Sequence, residues 1–283
     1  MKGLKHGLLI LASLLISQTL LAADGLVEVP FRLYRGYVIV VKGSIAGLDK
    51  LNFLIDTGAV PSVVDRRIAQ KLKLSGNGQS LSVFSQSVQA QGVVLSDVAL
   101  GPIRAERLPV LVRDLAFIEE GMGIHIDAMV GLDVLARSSF RIDYQSKKMI
   151  FGAVEPSEYS VVFEPRPGYV LVQFEVEGQP LRLVVDTGAK DVVLFESRVH
   201  GRLASVRTAG AKTSANMGGE SQLQEVRLPT ARLGTTDLGN QKAYLLATSA
   251  QALPNFDGLL GVTALGVKRL AFDFDRQTIS WQK

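Results

Sequence analysis

The chain has 283 residues, of which 47% are hydrophobic and 20% are charged, and its formal net charge is +4 at pH 7. This composition is typical of a globular protein long enough for two domains, and it excludes an intrinsically disordered chain and a protein with many membrane spans. Cysteine is absent, which excludes disulfides, thiolate metal sites and a cysteine nucleophile.

The first 23 residues predict a secretory signal peptide. Lys2 and Lys5 precede a mostly apolar stretch, residues 8–21, which is followed by Ala22 and Ala23, in the order that export signals have. An uncleaved N-terminal anchor is the alternative, although the stretch is shorter than the ~20 residues that a bilayer span requires. No other segment predicts a membrane span. We therefore expect an exported protein, either periplasmic in a bacterium or secreted.

Short strands are predicted along the first half of the remaining chain. Helical patterns are confined to residues 66–72 and 132–137, so this half predicts an all-β fold with small helices. Asp56-Thr57-Gly58-Ala59 follows an apolar strand, and Met129-Val130-Gly131 precedes the second helix. The predicted strands are apolar or alternating runs separated by turn-forming residues, at 37–41, 51–55, 93–100, 108–112, 140–144 and 148–151.

Both motifs return in the second half of the chain. Asp186-Thr187-Gly188-Ala189 again follows an apolar run, and Leu259-Leu260-Gly261 follows it at the same spacing as in the first half. A repeat of this kind indicates an internal duplication. We predict a first unit at residues 24–154, a polar linker at 155–158 and a second unit at 159–283.

The charge balance and the histidine content give no reason to expect nucleic-acid or metal binding. Without the two lysines of the signal, basic and acidic residues are nearly equal in number, so the charge gives no reason to expect a nucleic-acid partner. His125 and His200 are isolated in the sequence. We therefore expect neither a metal site nor a cofactor.

The chain resembles the aspartic peptidases, specifically the retropepsin-like branch found in bacterial exported proteins. In that family an Asp-Thr/Ser-Gly loop lies beside a strand with two apolar residues and a glycine, and both parts occur here twice in the same order. The resemblance implies the acid-protease fold: two homologous β-barrel-like lobes related by pseudo-two-fold symmetry, with the active-site cleft between them. A monomer would then suffice for activity.

Asp56 and Asp186 are the candidate catalytic residues. Hydrolysis of a peptide without a metal or a covalent nucleophile requires an activated water, a base and an acid. Two adjacent carboxyl groups supply the base and the acid by sharing one proton. The sequence therefore predicts an aspartic endopeptidase that acts on a peptide or protein substrate.

The resemblance also implies three pairs of residues that support the dyad. The threonines would hydrogen-bond across the interface to the backbone of the opposite loop. The glycines beside them would allow a tight loop and the close approach of a substrate backbone, and the glycines of the downstream motif would leave room behind each loop. These residues are Thr57, Gly58, Gly131, Thr187, Gly188 and Gly261.

Ala59 and Ala189 stand where pepsin-like members usually have a hydroxyl residue. That hydroxyl can donate a hydrogen bond to the carboxylate and stabilise its charged form, so its loss raises the carboxyl pKa. We therefore predict activity at weakly acidic to neutral pH.

Flaps over the substrate are predicted at residues 84–93 and 212–222. Ordinary surface hairpins are the alternative, because glycine is common at the tips of both. Together with the glycines of the two catalytic loops, the flap glycines are the candidate substrate-binding residues: Gly58, Gly92, Gly188, Gly218 and Gly219.

Two further alternatives concern function. A peptide-binding or scaffold protein of the cell envelope could keep this fold without turnover, and a retained N-terminal segment would suit a membrane-anchored regulator. Four more aspartates repeat between the halves and are interpreted as turn or strand-end residues: Asp127, Asp143, Asp257 and Asp273.

Overall fold

The computed structural model describes residues 25–83, 86–166, 168–203, 206–216, 219–248 and 255–283. The predicted signal peptide at 1–23 lies outside these ranges, as do Phe84 and Gly218 of the predicted flaps. Within them, no helix has the length and apolar character that crossing a membrane requires.

The first half of the chain consists mainly of strands, and each of the six predicted strands overlaps one of them. The predicted helices at 66–72 and 132–137 correspond to the helices Arg66–Lys71 and Leu132–Leu135. The elements are β1 (Val27–Tyr34), β2 (Val38–Ile45), β3 (Leu48–Ile55), β4 (Val63–Asp65), α1 (Arg66–Lys71), β5 (Asn77–Val83), β6 (Gln86–Leu100), β7 (Ile103–Arg113), α2 (Ala116–Glu119), β8 (Ala128–Val130), α3 (Leu132–Leu135), β9 (Phe140–Asp143) and β10 (Lys148–Phe151).

The second half repeats this pattern, which confirms the all-β prediction. A 3₁₀ helix at Val262–Leu265 takes the place that α3 has in the first half. The remaining elements are β11 (Tyr159–Val162), β12 (Glu164–Arg166), β13 (Tyr169–Val176), β14 (Gln179–Asp186), β15 (Val192–Phe195), α4 (Glu196–Val199), β16 (Arg207–Asn216), β17 (Gly219–Leu233), β18 (Thr236–Leu246), β19 (Gly258–Gly261), β20 (Arg269–Asp273) and β21 (Thr278–Gln282).

Two lobes share one strand order. In the first lobe it is β1-β2-β3-β8-β4-β7-β6-β5, and in the second it is β12-β13-β14-β19-β15-β18-β17-β16. Extra pairings of β2 with β6 and of β13 with β17 curl each sheet back on itself. The lobes are therefore barrel-like and pseudo-symmetric, as the resemblance implied.

The residue pattern explains which strands are central. Phe53, Leu54 and Ile55 at the end of β3 are all buried, which is typical of a strand covered on both faces and paired in parallel; β3 does pair in parallel with β8. By contrast, β17 alternates between buried and exposed side chains, as expected for a strand with one solvated face.

A six-stranded extension of the first lobe's sheet joins the lobes, and the repeat did not predict it. Its order is β11-β21-β20-β9-β10-β1, so strands from the end of each half lie side by side. At the seam, Phe272 of β20 is paired in register with Phe140 of β9, and their stacked rings have centroids 4.9 Å apart. Arg269 Nε also donates to Asp143 Oδ2 across the seam, at 2.9 Å.

The four repeated aspartates make structural contacts of the predicted kind. Asp127 Oδ2 accepts from the Asn52 amide, and Asp257 Oδ2 accepts from the Arg182 amide. Asp143 Oδ1 accepts from backbone amides of the β9–β10 turn, and Asp273 Oδ1 does so in the β20–β21 turn. All four side chains therefore stabilise strand ends or turns.

Phe272→Ala is expected to destabilise the whole molecule. The side chain is fully buried at the seam, and removing a buried phenylalanine typically costs about 3–5 kcal/mol. Urea unfolding followed by circular dichroism should show one transition at a lower midpoint, and it should coincide with the change in fluorescence of Trp281, the single tryptophan, which lies in the same sheet. Val94→Ala is the control, since Val94 is 52% exposed and its truncation should change stability by less than about 0.5 kcal/mol. Loss of one lobe at an unchanged midpoint for the other would contradict a shared core.

Candidate active site

Each Asp-Thr-Gly loop follows a central strand of its lobe. β8 lies between β3, with which it is parallel, and β4, with which it is antiparallel; β19 is placed in the same way between β14 and β15. The Asp56 amide donates to the Val130 carbonyl at 3.0 Å, and Asp186 is paired in register with Gly261. The strand with two apolar residues and a glycine therefore lies directly behind each loop.

Gly131 and Gly261 allow this close crossing. A Cβ atom at Gly131 would overlap the Ala59 carbonyl oxygen, and one at Gly261 would lie 2.5 Å from the Asp191 carbonyl oxygen. Both obstacles are backbone atoms, which cannot move aside without displacing the loop. The geometry therefore supports the expected reason for glycine at these two positions.

Thr57 and Thr187 form a reciprocal hydrogen-bonded lock between the lobes. Each hydroxyl accepts from the backbone amide of the opposite threonine, at 3.0 Å in both directions. Each also donates to a carbonyl on the other lobe: Thr57 Oγ1 to Val185 at 2.7 Å, and Thr187 Oγ1 to Ile55 at 3.0 Å. Both threonines are fully buried, and both hydroxyls find their hydrogen-bond donor and acceptor within the protein.

The two carboxyl groups meet at the interface between the loops. Gly58 N donates to Asp56 Oδ1 at 2.8 Å, and Gly188 N donates to Asp186 Oδ1 at 2.7 Å. Asp56 and Asp186 are also within hydrogen-bonding contact of each other. The structure therefore brings the two candidate catalytic residues together, with matching backbone support on each side.

Gly58 and Gly188 are required for a reason that the sequence did not predict. Neither has a left-handed φ, so the loop itself does not demand glycine. Instead, a Cβ atom at Gly58 would lie 2.6 Å from the Asp186 carboxyl group, and one at Gly188 would lie 2.7 Å from that of Asp56. Each glycine thus makes room for the carboxyl group of the opposite lobe.

Burial raises the pKa of both dyad residues. For Asp186 the negative charge of Asp56 adds to this effect and raises the pKa well above 3.8, whereas backbone donors oppose the rise. For Asp56 the hydrogen bond from Asp186 and the Gly58 and Ala59 amides lower the pKa, but burial outweighs them. Since two like charges in contact are costly, the dyad retains one shared proton above the usual carboxyl range.

Ser62 and Asp133 support the first loop, and sequence reasoning missed both. Ser62 Oγ accepts from the Gly131 amide at 2.9 Å and donates to Asp133 Oδ1 at 2.6 Å, while the Ser62 amide donates to Asp133 Oδ2 at 2.8 Å. The second lobe has Val192 and Thr263 at the matching positions. Because the pair does not recur in the repeat, no sequence signal pointed to it.

Both predicted flaps fall on hairpins. β5 pairs with β6, and β16 with β17. Gly92 pairs with Asn77 at the end of the first hairpin farthest from its tip, whereas Gly219 pairs with Asn216 next to the tip of the second. A role for either glycine in substrate binding stays a prediction.

Within the ranges that the structure describes, no three acidic or histidine side chains are grouped as a metal site would require. His125 instead contacts Glu119, with 2.8 Å between Nδ1 and Oε2.

Comparison with known families gives one match. A family model described as aspartyl protease matches residues 41–134 and again residues 172–264, together more than half of the chain. Each match contains one Asp-Thr-Gly loop and its downstream glycine motif. No curated protein matches the chain.

Thr187→Val is expected to destabilise the protein by about 2–4 kcal/mol. Valine keeps the shape of threonine but leaves the Thr57 amide and the Ile55 carbonyl buried without their partner, and each such loss costs about 1–3 kcal/mol. Thr187→Ser is the control, since it keeps the hydroxyl and should lose about 1 kcal/mol for the missing methyl group. Equal urea midpoints for the two variants would contradict the lock.

The dyad should make stability depend on pH. The raised pKa means that the dyad holds more protons in the folded protein than in the unfolded chain, so its contribution to stability is most favourable below the ordinary aspartate value of 3.8 and is lost as the pH rises through the folded pKa. Asp186→Asn removes this loss, and its Tm at pH 7 should exceed that of the wild type by a few degrees.

Differential scanning calorimetry across the pH range measures this difference. The exposed Asp49→Asn is the control and should follow the wild-type curve. A wild-type Tm advantage over Asp186→Asn that grows with pH would show that the sign is wrong.

Proposed function

Because the chain belongs to the aspartyl protease family, we propose that it is an aspartic endopeptidase in which Asp56 and Asp186 activate a water molecule held between them. Its substrates are then peptides or proteins bound in the cleft between the lobes. One chain supplies both halves of the site, so a monomer suffices.

One observation carries the proposal: two contacting carboxyl groups, one from each lobe, are held by the same set of backbone contacts. Such an arrangement costs stability, because burial and mutual repulsion both disfavour the charged pair. A protein that only bound peptides would gain nothing from it. A general acid and base that exchange one proton require it.

The reaction follows from the single shared proton. The ionised carboxylate takes a proton from the water as the water oxygen bonds to the peptide carbonyl carbon, while the protonated carboxyl group donates its proton to the carbonyl oxygen. This yields a neutral tetrahedral diol. The carboxyl group formed in the first step then protonates the peptide nitrogen as the C–N bond breaks. The other carboxylate takes a proton from the diol, and the dyad again holds one proton.

The threonines and glycines of the two loops contribute by holding the carboxyl groups in place. In this proposal Thr57 and Thr187 keep the two carboxyl groups in register, and Gly58 and Gly188 let them approach. Because these contacts form before substrate binds, the dyad is preorganised and no free energy is lost in aligning it during the reaction.

Activity should depend on the pH in a bell-shaped manner. The dyad is active with one proton, so kcat/KM falls when both groups are protonated at low pH and when both are ionised at high pH. Since burial raises the pKa of both groups, we expect a maximum between about pH 4.5 and pH 7. A maximum below about pH 3.5, near the unperturbed carboxyl range, would contradict this prediction.

Asp186→Asn should abolish cleavage. Incubating the purified protein with a mixed peptide library and identifying the products by mass spectrometry measures activity against many sequences at once. We expect a loss of at least about 10³-fold in rate for Asp186→Asn and for Asp56→Asn, because each removes one member of the acid–base pair. Asp49→Asn is the surface control and should cleave as the wild type does.

The silent peptide-binding alternative predicts the opposite result. If the wild type binds library peptides but cleaves none between about pH 3 and pH 8, a range that spans the titration of both carboxyl groups, the peptidase proposal fails. Equal cleavage by wild type and Asp186→Asn would show that the dyad is not the source of activity.

We further propose export of the protein through residues 1–23, on the sequence pattern alone. Mature protein that begins at Ala23 or Asp24, determined by N-terminal sequencing, is the expected result. Retention of the segment would favour the membrane-anchored alternative instead.

A further inference from the structure

The second lobe carries a group of charged side chains around a buried tyrosine, which we name the Tyr244 cluster. Lys212 Nζ lies 4.0 Å from the centroid of the Tyr244 ring, and Lys242 Nζ lies 5.2 Å from it. Lys242 also pairs with Glu225, at 2.9 Å between Nζ and Oε2. The cluster therefore holds two ammonium groups, of which only that of Lys242 is paired among the described residues, and one carboxylate, so it has an excess positive charge.

This cluster lies on the sheet face that presents the dyad. Side chains two residues apart on a strand point to the same face, so Val184 of β14 shares a face with Asp186. Val184 and Tyr244 belong to one buried apolar cluster. β19 and β15 lie between β14 and β18, so Tyr244 on β18 is three strand spacings, roughly 14 Å, from the strand that carries Asp186. An extended peptide covers that distance in about four residues.

Lys212 reaches the same region from the second flap hairpin. It is paired in register with Leu223, which is also a member of that apolar cluster. Lys212 is exposed above a tyrosine that is only 4% exposed. The ring holds the ammonium group by a cation–π contact but leaves its hydrogen-bond donors available on the open side.

The first lobe has no such charges at the corresponding positions. The strand registers identify the counterparts. In the first lobe Leu111 is paired with Val63 of β4, and in the second lobe Tyr244 is paired with Val193 of β15. The same pairings continue into the neighbouring strands. Lys212, Glu225, Lys242 and Tyr244 thus correspond to Gln79, Gly92, Pro109 and Leu111.

The residues beside the two Asp-Thr-Gly loops also differ in charge, with the positive charge again in the second lobe. Val60 and Lys190 both lie four residues after the catalytic aspartate and are both exposed. Asp191 follows Lys190 and partly offsets its charge. Among the described residues, neither Lys190 nor Lys212 forms an ion pair. In the first lobe Arg113, two residues after Leu111 on β7, is charged, and it donates to the Gln89 carbonyl at 2.6 Å.

We propose that the second-lobe side of the cleft binds an acidic side chain of the substrate, whereas the first-lobe side accepts an uncharged one. Lys212 is the specificity-determining residue, and Lys190 adds to the positive potential at the loop. The inference rests on the proposed peptidase function and names the class of substrate: peptides with Asp or Glu within a few residues of the scissile bond, on one side only.

The expected preference is modest but measurable. A partly exposed ion pair contributes up to about 1 kcal/mol, which corresponds to about a fivefold change in kcat/KM. Glutamate and glutamine have nearly the same shape, so a Glu/Gln peptide pair isolates the charge. The preference should weaken as the salt concentration rises, because solvent-exposed charges are screened.

The test scans one cleavable peptide from the library with Glu or Gln at each position up to about four residues on either side of the scissile bond. The wild type should prefer Glu by about fivefold at one or more positions on one side. Lys212→Gln should bring that ratio to about 1, and Lys212→Glu should reverse it and favour a Lys-containing peptide. Lys71→Gln, an exposed lysine of α1, is the control and should keep the wild-type ratio.

Each outcome separates this inference from the peptidase proposal. If the wild type cleaves and its Glu/Gln ratio is near 1 at every position, or if Lys212→Gln leaves the ratio unchanged, the inference fails and the peptidase proposal stands. If no peptide is cleaved, a library peptide that binds the Asp186→Asn variant is made with Glu or Gln at each position, and the affinities of these peptides, measured by fluorescence anisotropy, test the cluster without turnover. Equal affinities there would overturn the inference independently.

Discussion

The reciprocal hydrogen bonds between Thr57 and Thr187 position every other part of the site. They join the lobes at the point where the two aspartates emerge, and all four contacts are buried. A buried hydroxyl that lost its partners would cost free energy, so the two loops are held in one relative position. The carboxyl groups can then be kept in contact although their charges repel each other.

That contact explains several choices of residue around it. Gly58 and Gly188 have no side chain because the opposite carboxyl group occupies the space. Gly131 and Gly261 have none because the backbone beyond each aspartate crosses there. The raised pKa of the dyad is the electrostatic cost of the same arrangement, and it is the property that a one-proton acid–base pair requires.

Pseudo-symmetry is close in the framework and weaker in the side chains around the site. The two lobes repeat one strand order, whereas Ser62 and Asp133 support only the first loop and the Tyr244 cluster occurs only in the second lobe. Fusion of two units in one chain permits such differences, because each half can change alone. An asymmetric cleft can distinguish the two sides of a peptide, which a symmetric one cannot.

The duplication, the strand-rich fold and the two candidate aspartates could be predicted from the sequence, because each of them shows in short runs of neighbouring residues. Gly131 and Gly261 were also predicted, since their motif recurs. Contacts between residues far apart in the chain could not be predicted in this way: the pairing of β9 with β20 that joins the lobes, the contact of each loop glycine with the opposite aspartate, and the position of Lys212 over Tyr244. Strand register determines these contacts, and register results from the packing of the whole sheet rather than from any local pattern.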